Sequence, residues 1–212
     1  MKQLNCVDPI YGIDYAPGHV LFTRTDGSFI SKGIVWFQDQ FEASDFDPSH
    51  VMLVVDEHTV TEAVSQGIKE TNIHEYFDNE KVQVLCRKPE GLTDQIAQEL
   101  IAYSKTMIGM PYDFTGLLLG YPLMITLGLA KYIKFLRKLP LPLHFPGSRV
   151  CSGYVSDIFK HHDAYKAVRL LKDWHITRIV PSMLLNEFPF SQYTFKKKEN
   201  RDFYVVNRGL LF

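Results

Sequence analysis

Three short runs rich in valine, HVMLVVDE (50–57), TVTEAV (59–64) and KVQVLC (81–86), follow one another with acidic or glycine-containing turns between them. β-Branched side chains in runs this short suit a pleated, half-buried surface and are too few for a free-standing helix. The pattern predicts neighbouring strands of an antiparallel sheet. GHVLFTR (18–24) reads as a strand ahead of them, followed by Phe29, Ile30, Gly33, Ile34 and Phe37 at helical spacing, and RDFYVVN (201–207) reads as a last strand.

Helical signals surround this sheet. Thr93 is placed to cap a helix in which Ile96, Leu100, Ser104, Met107 and Ile108 share a face, with Gly109 and Pro111 as its stop. In CSGYVSDIFK (151–160), Cys151, Val155, Ile158 and Phe159 recur at helical spacing, which puts Cys151 near a helix N-terminus. Pro181 stands where a short helix over PSMLL would begin. The expected class is α+β, an antiparallel sheet packed against helices. The 212 residues, 46% hydrophobic, suffice for one sizeable core, so 1–212 is read as a single domain.

An apolar insertion occupies about 114–146. FTGLLLGYPLMITLGLA (114–130) carries no charge and is followed by the basic, amphipathic KYIKFLRK (131–138). A spanning helix needs about 20 apolar residues, and Pro122 with three glycines interrupts this stretch. A buried or interfacial helical hairpin is the expectation, touching a membrane surface through 114–138 or packing as a lid.

Lys plus Arg number 23 against 24 for Asp plus Glu, so no global field favours nucleic acid, and no nucleic-acid partner is expected. Cys6, Cys86 and Cys151 are far apart and form no CxxC pair, which argues against a disulfide framework and against a zinc or redox motif. His161 and His162 are adjacent and point about 100° apart on a helix, away from the shared face a metal pair favours. No metal and no cofactor is expected. The opening MKQLNCVDPIYG has no continuous apolar stretch of the secretory kind. With reduced thiols this gives a cytoplasmic expectation, peripheral to a membrane if the insertion meets lipid.

A thiol attacks carbonyl carbon as thiolate, and a helix N-terminus favours that form. Cys151 is therefore the candidate nucleophile. The N–H groups of that first turn are candidate oxyanion donors, with Ser152 and Gly153 small enough to admit a substrate. His50 opens a strand immediately after a proline-containing loop and is the best placed of eight histidines to act as base. Glu62, in the next strand among residues expected to be buried, is the candidate group to orient the ring. Cys86 reads as a core residue and Cys6 as an incidental thiol, neither with a base nearby.

Six segments appear in a fixed order from Gly18 to Leu185: GHVLF, SHVMLVV, TEAVSQGI, GMPYDF, CSGYVSDIF and IVPSMLL. In this order the chain resembles the permuted NlpC-type, or YiiX-like, papain-fold proteins. The resemblance implies a circularly permuted papain-like fold, with Cys151 as nucleophile, His50 as base, Glu62 as orienting group and Tyr112 as a pocket-wall or substrate-contact residue. His50 and Glu62 precede Cys151, the reverse of the ordinary NlpC order, as permutation would produce. Two positions depart from the pattern: His19 follows Gly18 where many relatives carry aspartate, and Gly153 follows Cys-Ser where glutamate is common.

The function expected on these grounds is thiol-dependent hydrolysis of the amidase or peptidase type through an acyl-enzyme, on a peptide-like substrate. The alternatives are a lipid acyl hydrolase or acyltransferase using the insertion, and a catalytically silent module that holds a small ligand.

Overall fold

A computed structural model describes residues 9–25, 46–79, 81–114, 134–139, 147–197 and 203–206. Among these residues seven strands form one antiparallel sheet: β1 (Val20–Thr25), β2 (His50–Val54), β3 (Thr59–Val64), β4 (Gly67–Asn72), β5 (Val82–Pro89), β6 (Phe190–Lys197) and β7 (Phe203–Val206). Their order across the sheet is β4-β3-β2-β1-β5-β6-β7. The helices are α1 (His74–Phe77), α2 (Asp94–Thr106), α3 (Lys134–Arg137), α4 (Cys151–His161), α5 (Arg169–Asp173) and α6 (Pro181–Glu187), with a 3₁₀ turn at Ile176–Arg178.

The sheet is covered on both faces, which explains why its central strands read as continuous apolar runs. Val20, Phe22, Val51, Leu53 and Ala63 pack in one cluster with Leu100 of α2, Val155, Ile158 and Phe159 of α4, and Leu184 of α6. Leu21, Met52, Val54, Val60, Val84 and Cys86 face the other way, under Tyr15, Ile73 and Phe77. Thr93 caps α2 as its sequence predicts, accepting from the Ile96 N–H at 3.3 Å. Ala97, Leu100 and Ser104 form the buried stripe of α2, whereas Ile108 lies beyond its end and is 43% exposed.

The expected strands are present, but the third valine run, β5, lies beside β1 rather than beside β3, because β1 separates it from the β2–β3 hairpin; two more strands join the sheet. β4 pairs with β3 from Thr59↔Asn72 to Val64↔Gly67, and β6 pairs with β5. The polar sequence GIKETN carries little hydrophobic signal because β4 is an edge strand. Gly67 turns the chain at φ +105°, and a Cβ there would stand 2.7 Å from the Met110 carbonyl. That close approach lets Ile68 N–H donate to Met110 O and Gly109 N–H donate to Ile68 O, tying 109–113 to the β3–β4 turn.

Among the described residues no helix is long and apolar enough to cross a membrane. The helix expected over 29–37, Cys6, and insertion residues 115–133 and 140–146 lie outside the described residues. The insertion's basic flank returns at α3, where His175 N–H donates to Arg137 O at 2.7 Å, Arg178 Nε donates to Leu139 O at 2.6 Å, and Arg137 lies over the Trp174 ring.

Candidate active site

Strand pairing brings His50 and Glu62 together. The β2–β3 register matches Leu53 with Thr61 and Val54 with Val60. Continued by one step it sets Glu62 opposite Met52, so His50, two residues from Met52, is Glu62's diagonal neighbour on one face. The imidazole Nε2 and the Glu62 Oε2 stand 2.6 Å apart. Val60 pairs with Thr71 of β4, which puts Thr71 on that face as well, and its hydroxyl donates to Glu62 Oε1 at 2.5 Å. Tyr76 of α1 donates its phenol to Glu62 Oε2 at 2.5 Å.

The Glu62 side chain is 1% exposed and that of His50 19%. Burial raises a carboxyl pKa, but the His50 hydrogen bond and charge, with Thr71 and Tyr76, outweigh it and hold Glu62 down at about 2. Burial likewise opposes charge on His50, and hydrogen bonds to Cys151 and Glu62 overcome it, raising the imidazole to about 10. Burial, then the Glu62 charge and hydrogen bond, push the Tyr76 phenol up, so it stays a donor.

Cys151 begins α4 and is 4% exposed. Its thiol is among the groups that raise the His50 pKa; with Nε2 turned to Glu62, Nδ1 is the nitrogen left to face it. Val150, at the N-cap, makes no side-chain cap, and the first turn carries no acidic residue. The N–H groups around Cys151 therefore keep their positive end free of a side-chain acceptor.

The chain leading to Cys151 is held from both sides. Tyr112 and Arg149 form a parallel bridge, with Arg149 N–H donating to Pro111 O at 3.2 Å and Asp113 N–H to Arg149 O at 3.1 Å. Arg149 Nε and Nη2 both donate to Asp157 Oδ2, at 2.9 and 2.8 Å, fastening this strand-like lead to α4. Tyr112, half-buried, packs against the cluster that includes Cys151 and meets Phe114 edge-on.

Ser152 is fully buried and donates to Ile179 O at 2.6 Å. A Cβ on Gly153 would stand 3.2 Å from Ile176 O and 3.3 Å from Val150 Cγ2. Small residues at these two positions let the first turn of α4 lie against 176–180. This is a packing reason for glycine where the resembled pattern has glutamate.

Two features escaped the sequence. The first is the donor set of Thr71 and Tyr76; a buried glutamate in mid-strand announces that donors are needed but not which. The second corrects the expectation that Cys86 lacks a base. β1 pairs Leu21 with Cys86, so His19 is diagonal to Cys86 on the same face, and Nδ1 lies 3.8 Å from Sγ. The departure His19 is thus a buried partner of Cys86.

No family model matches the chain, and no curated protein matches it. The molecule is an α+β protein with an antiparallel sheet packed against helices. Its fold is that of the crystal structure of metalloprotein yiiX from Escherichia coli O157:H7, matched at a TM-score of 0.54 and 17% identity over 87% of this chain and 97% of that one. Among the described residues no group of three or more His, Cys, Asp and Glu side chains is arranged to hold a metal. The Glu62 carboxylate is occupied by three donors.

Proposed function

We propose that the protein is a thiol-dependent hydrolase of the amidase or peptidase type, built on a circularly permuted papain-like fold, with Cys151 as nucleophile, His50 as base and Glu62 as the group that orients the ring. The observation that carries this reading is the His50–Glu62 contact at 2.6 Å on adjacent strands, with Cys151, at a helix start, among the groups that raise the His50 pKa. An imidazolium beside a sulfur, at a helix N-terminus, favours the thiolate. The thiolate attacks an amide or ester carbonyl and the first-turn N–H groups receive the oxyanion. His50 then gives its proton to the leaving group, and water activated by the neutral imidazole releases the acid from the thioester. Tyr112, beside the Arg149 lead, is read as a wall of the substrate cleft.

A lipid acyl substrate is the second reading. Phe114 and Leu139, at the described ends of the insertion, are 44% and 46% exposed. Apolar side chains at the mouth of an apolar segment suit an acyl chain or a membrane surface.

The test is the pH dependence of Cys151 alkylation by iodoacetamide, read by mass spectrometry in the intact protein and in His50→Ala, with Cys86 as internal control. Fast reaction of Cys151 near pH 6, lost with His50, is expected. Reaction no faster than that of Cys86 overturns the enzyme reading in favour of a ligand-holding module. Co-sedimentation with liposomes, with and without residues 116–138, separates the lipid reading from the peptide one.

A further inference from the structure

Glu62 Oε2 accepts from two sides, His50 and Tyr76, and Oε1 from Thr71. With both oxygens engaged, the plane of the carboxylate is fixed, and so is the line along which it meets the imidazole. Tyr76 does more than donate: its ring lies roughly parallel to the His50 ring, 6.4 Å between centroids and 27° between planes. It limits the same imidazole that its phenol helps to aim.

α1, which carries Tyr76, has only four residues and depends on its surroundings for position. Ile73 N–H donates to His58 O, Ile73 is fully buried, and Phe77 packs edge-on against Tyr15 at 5.1 Å. These contacts hold the turn over the sheet face where Glu62 stands.

We propose that Tyr76 is a positioning residue of this site, its phenol and ring together fixing the Glu62 carboxylate and the His50 imidazole in one geometry. The proposal rests on the reading of Cys151 and His50 given above. The charged and titratable groups around Glu62 are His50 on β2, Lys69 directly across on β4, Tyr76 and Glu75 on α1, and Cys151 and Tyr154 on α4. Of these, Tyr76 is the donor whose removal leaves every charge in place.

Tyr76→Phe keeps the ring and removes the donor. A carboxylate that loses a donor protonates at higher pH. The Glu62 carboxyl, followed by carbon-13 NMR, is expected to titrate about one pH unit higher in this variant, a tenfold change in its protonation equilibrium. A loss of packing alone leaves that titration where it was. Replacing Tyr76 with 3-fluorotyrosine, a stronger donor of nearly the same size, is expected to move the titration the other way and keeps the test decisive if the phenylalanine variant folds poorly. Titrations that superimpose on that of the intact protein overturn the proposal while leaving Cys151 and His50 standing. Failure of Cys151 to outpace Cys86, or indifference to His50→Ala, overturns the reading of the site itself and this proposal with it.

Discussion

Cys86 and Cys151 are both buried and each has an imidazole beside it, yet the two imidazoles are driven in opposite directions. At His19, burial dominates and Lys88 adds to it, and the ring falls to about 4. Burial, helped by Asp14, pushes the Cys86 thiol up. Both shifts favour the uncharged forms of that pair near pH 7. At His50 burial pulls the same way, but Cys151 and Glu62 reverse it. A histidine next to a cysteine is therefore not enough. The imidazole needs a carboxylate behind it, and that carboxylate needs its own donors to remain charged in a buried place. Cys151 also begins a helix, whereas Cys86 sits within β5, where its backbone is used by the sheet.

The contrast is broken or sharpened most strongly at the sulfurs. Cys151→Ala is expected to abolish turnover and acyl-enzyme formation, while Cys86→Ala keeps both and loses stability of about 0.5–3 kcal/mol, in the usual range for a buried substitution; steady-state assay and denaturant melts separate the two effects. The histidines come next. His50→Ala should slow Cys151 alkylation at pH 6 by about 100-fold or more, the low end of what a positioned base contributes, and His19→Ala should leave that rate as it is.

Glu62→Gln acts on the upper limb. With the negative charge gone, His50 keeps its interaction with Cys151 but loses that with Glu62, and its pKa falls by about 1–3 units. The alkaline limb of turnover, where the imidazolium must protonate the leaving group, is expected to move down accordingly, and a limb that stays in place shows that the carboxylate does not govern the ring. The same pair sets stability. Glu62, held at about 2, contributes stability that is present above its unfolded value near 4.5 and lost as pH falls toward 2. His50, raised to about 10, contributes stability that is present below 6.5 and lost as pH rises toward 10.

The sequence pointed to one member of this contrast and missed the other. Cys151 was legible because apolar residues at 155, 158 and 159 declare a helix, whose first turn, where Cys151 stands, carries N–H groups without intrahelical partners. His50 and Glu62 were legible because they sit in adjacent strands joined by a short turn, where pairing follows from chain order. Cys86 and His19 meet through β1–β5, a pairing that skips three intervening strands, so nothing local announces it. Tyr76 was hidden for a related reason: α1 has too few residues to show a period, and its place is set by tertiary contacts of Ile73 and Phe77. β4 and β6 went unread because GIKETN, an edge strand, and FSQYTFKK, with its polar and lysine residues, show no clear alternation of apolar residues in the sequence.

The smallest expected effect belongs to His19. It is 6% exposed and held neutral, with its pKa lowered to about 4 chiefly by burial. Between pH 6.5 and 4 the unfolded chain protonates this ring and the folded chain does not, so stability is complete above 6.5 and declines as pH falls through that window. His19→Gln keeps a polar side chain beside the Cys86 sulfur but removes the titration. The variant is expected to start less stable at pH 7 and then lose less on going to pH 5, so that the difference in melting temperature between the two proteins narrows. A gap that stays constant would show that His19 does not titrate in this window. Of the two clusters, the proton sensitivity would then lie with Glu62, and the two cysteine–histidine pairs would differ in their response to acid as well as in reactivity.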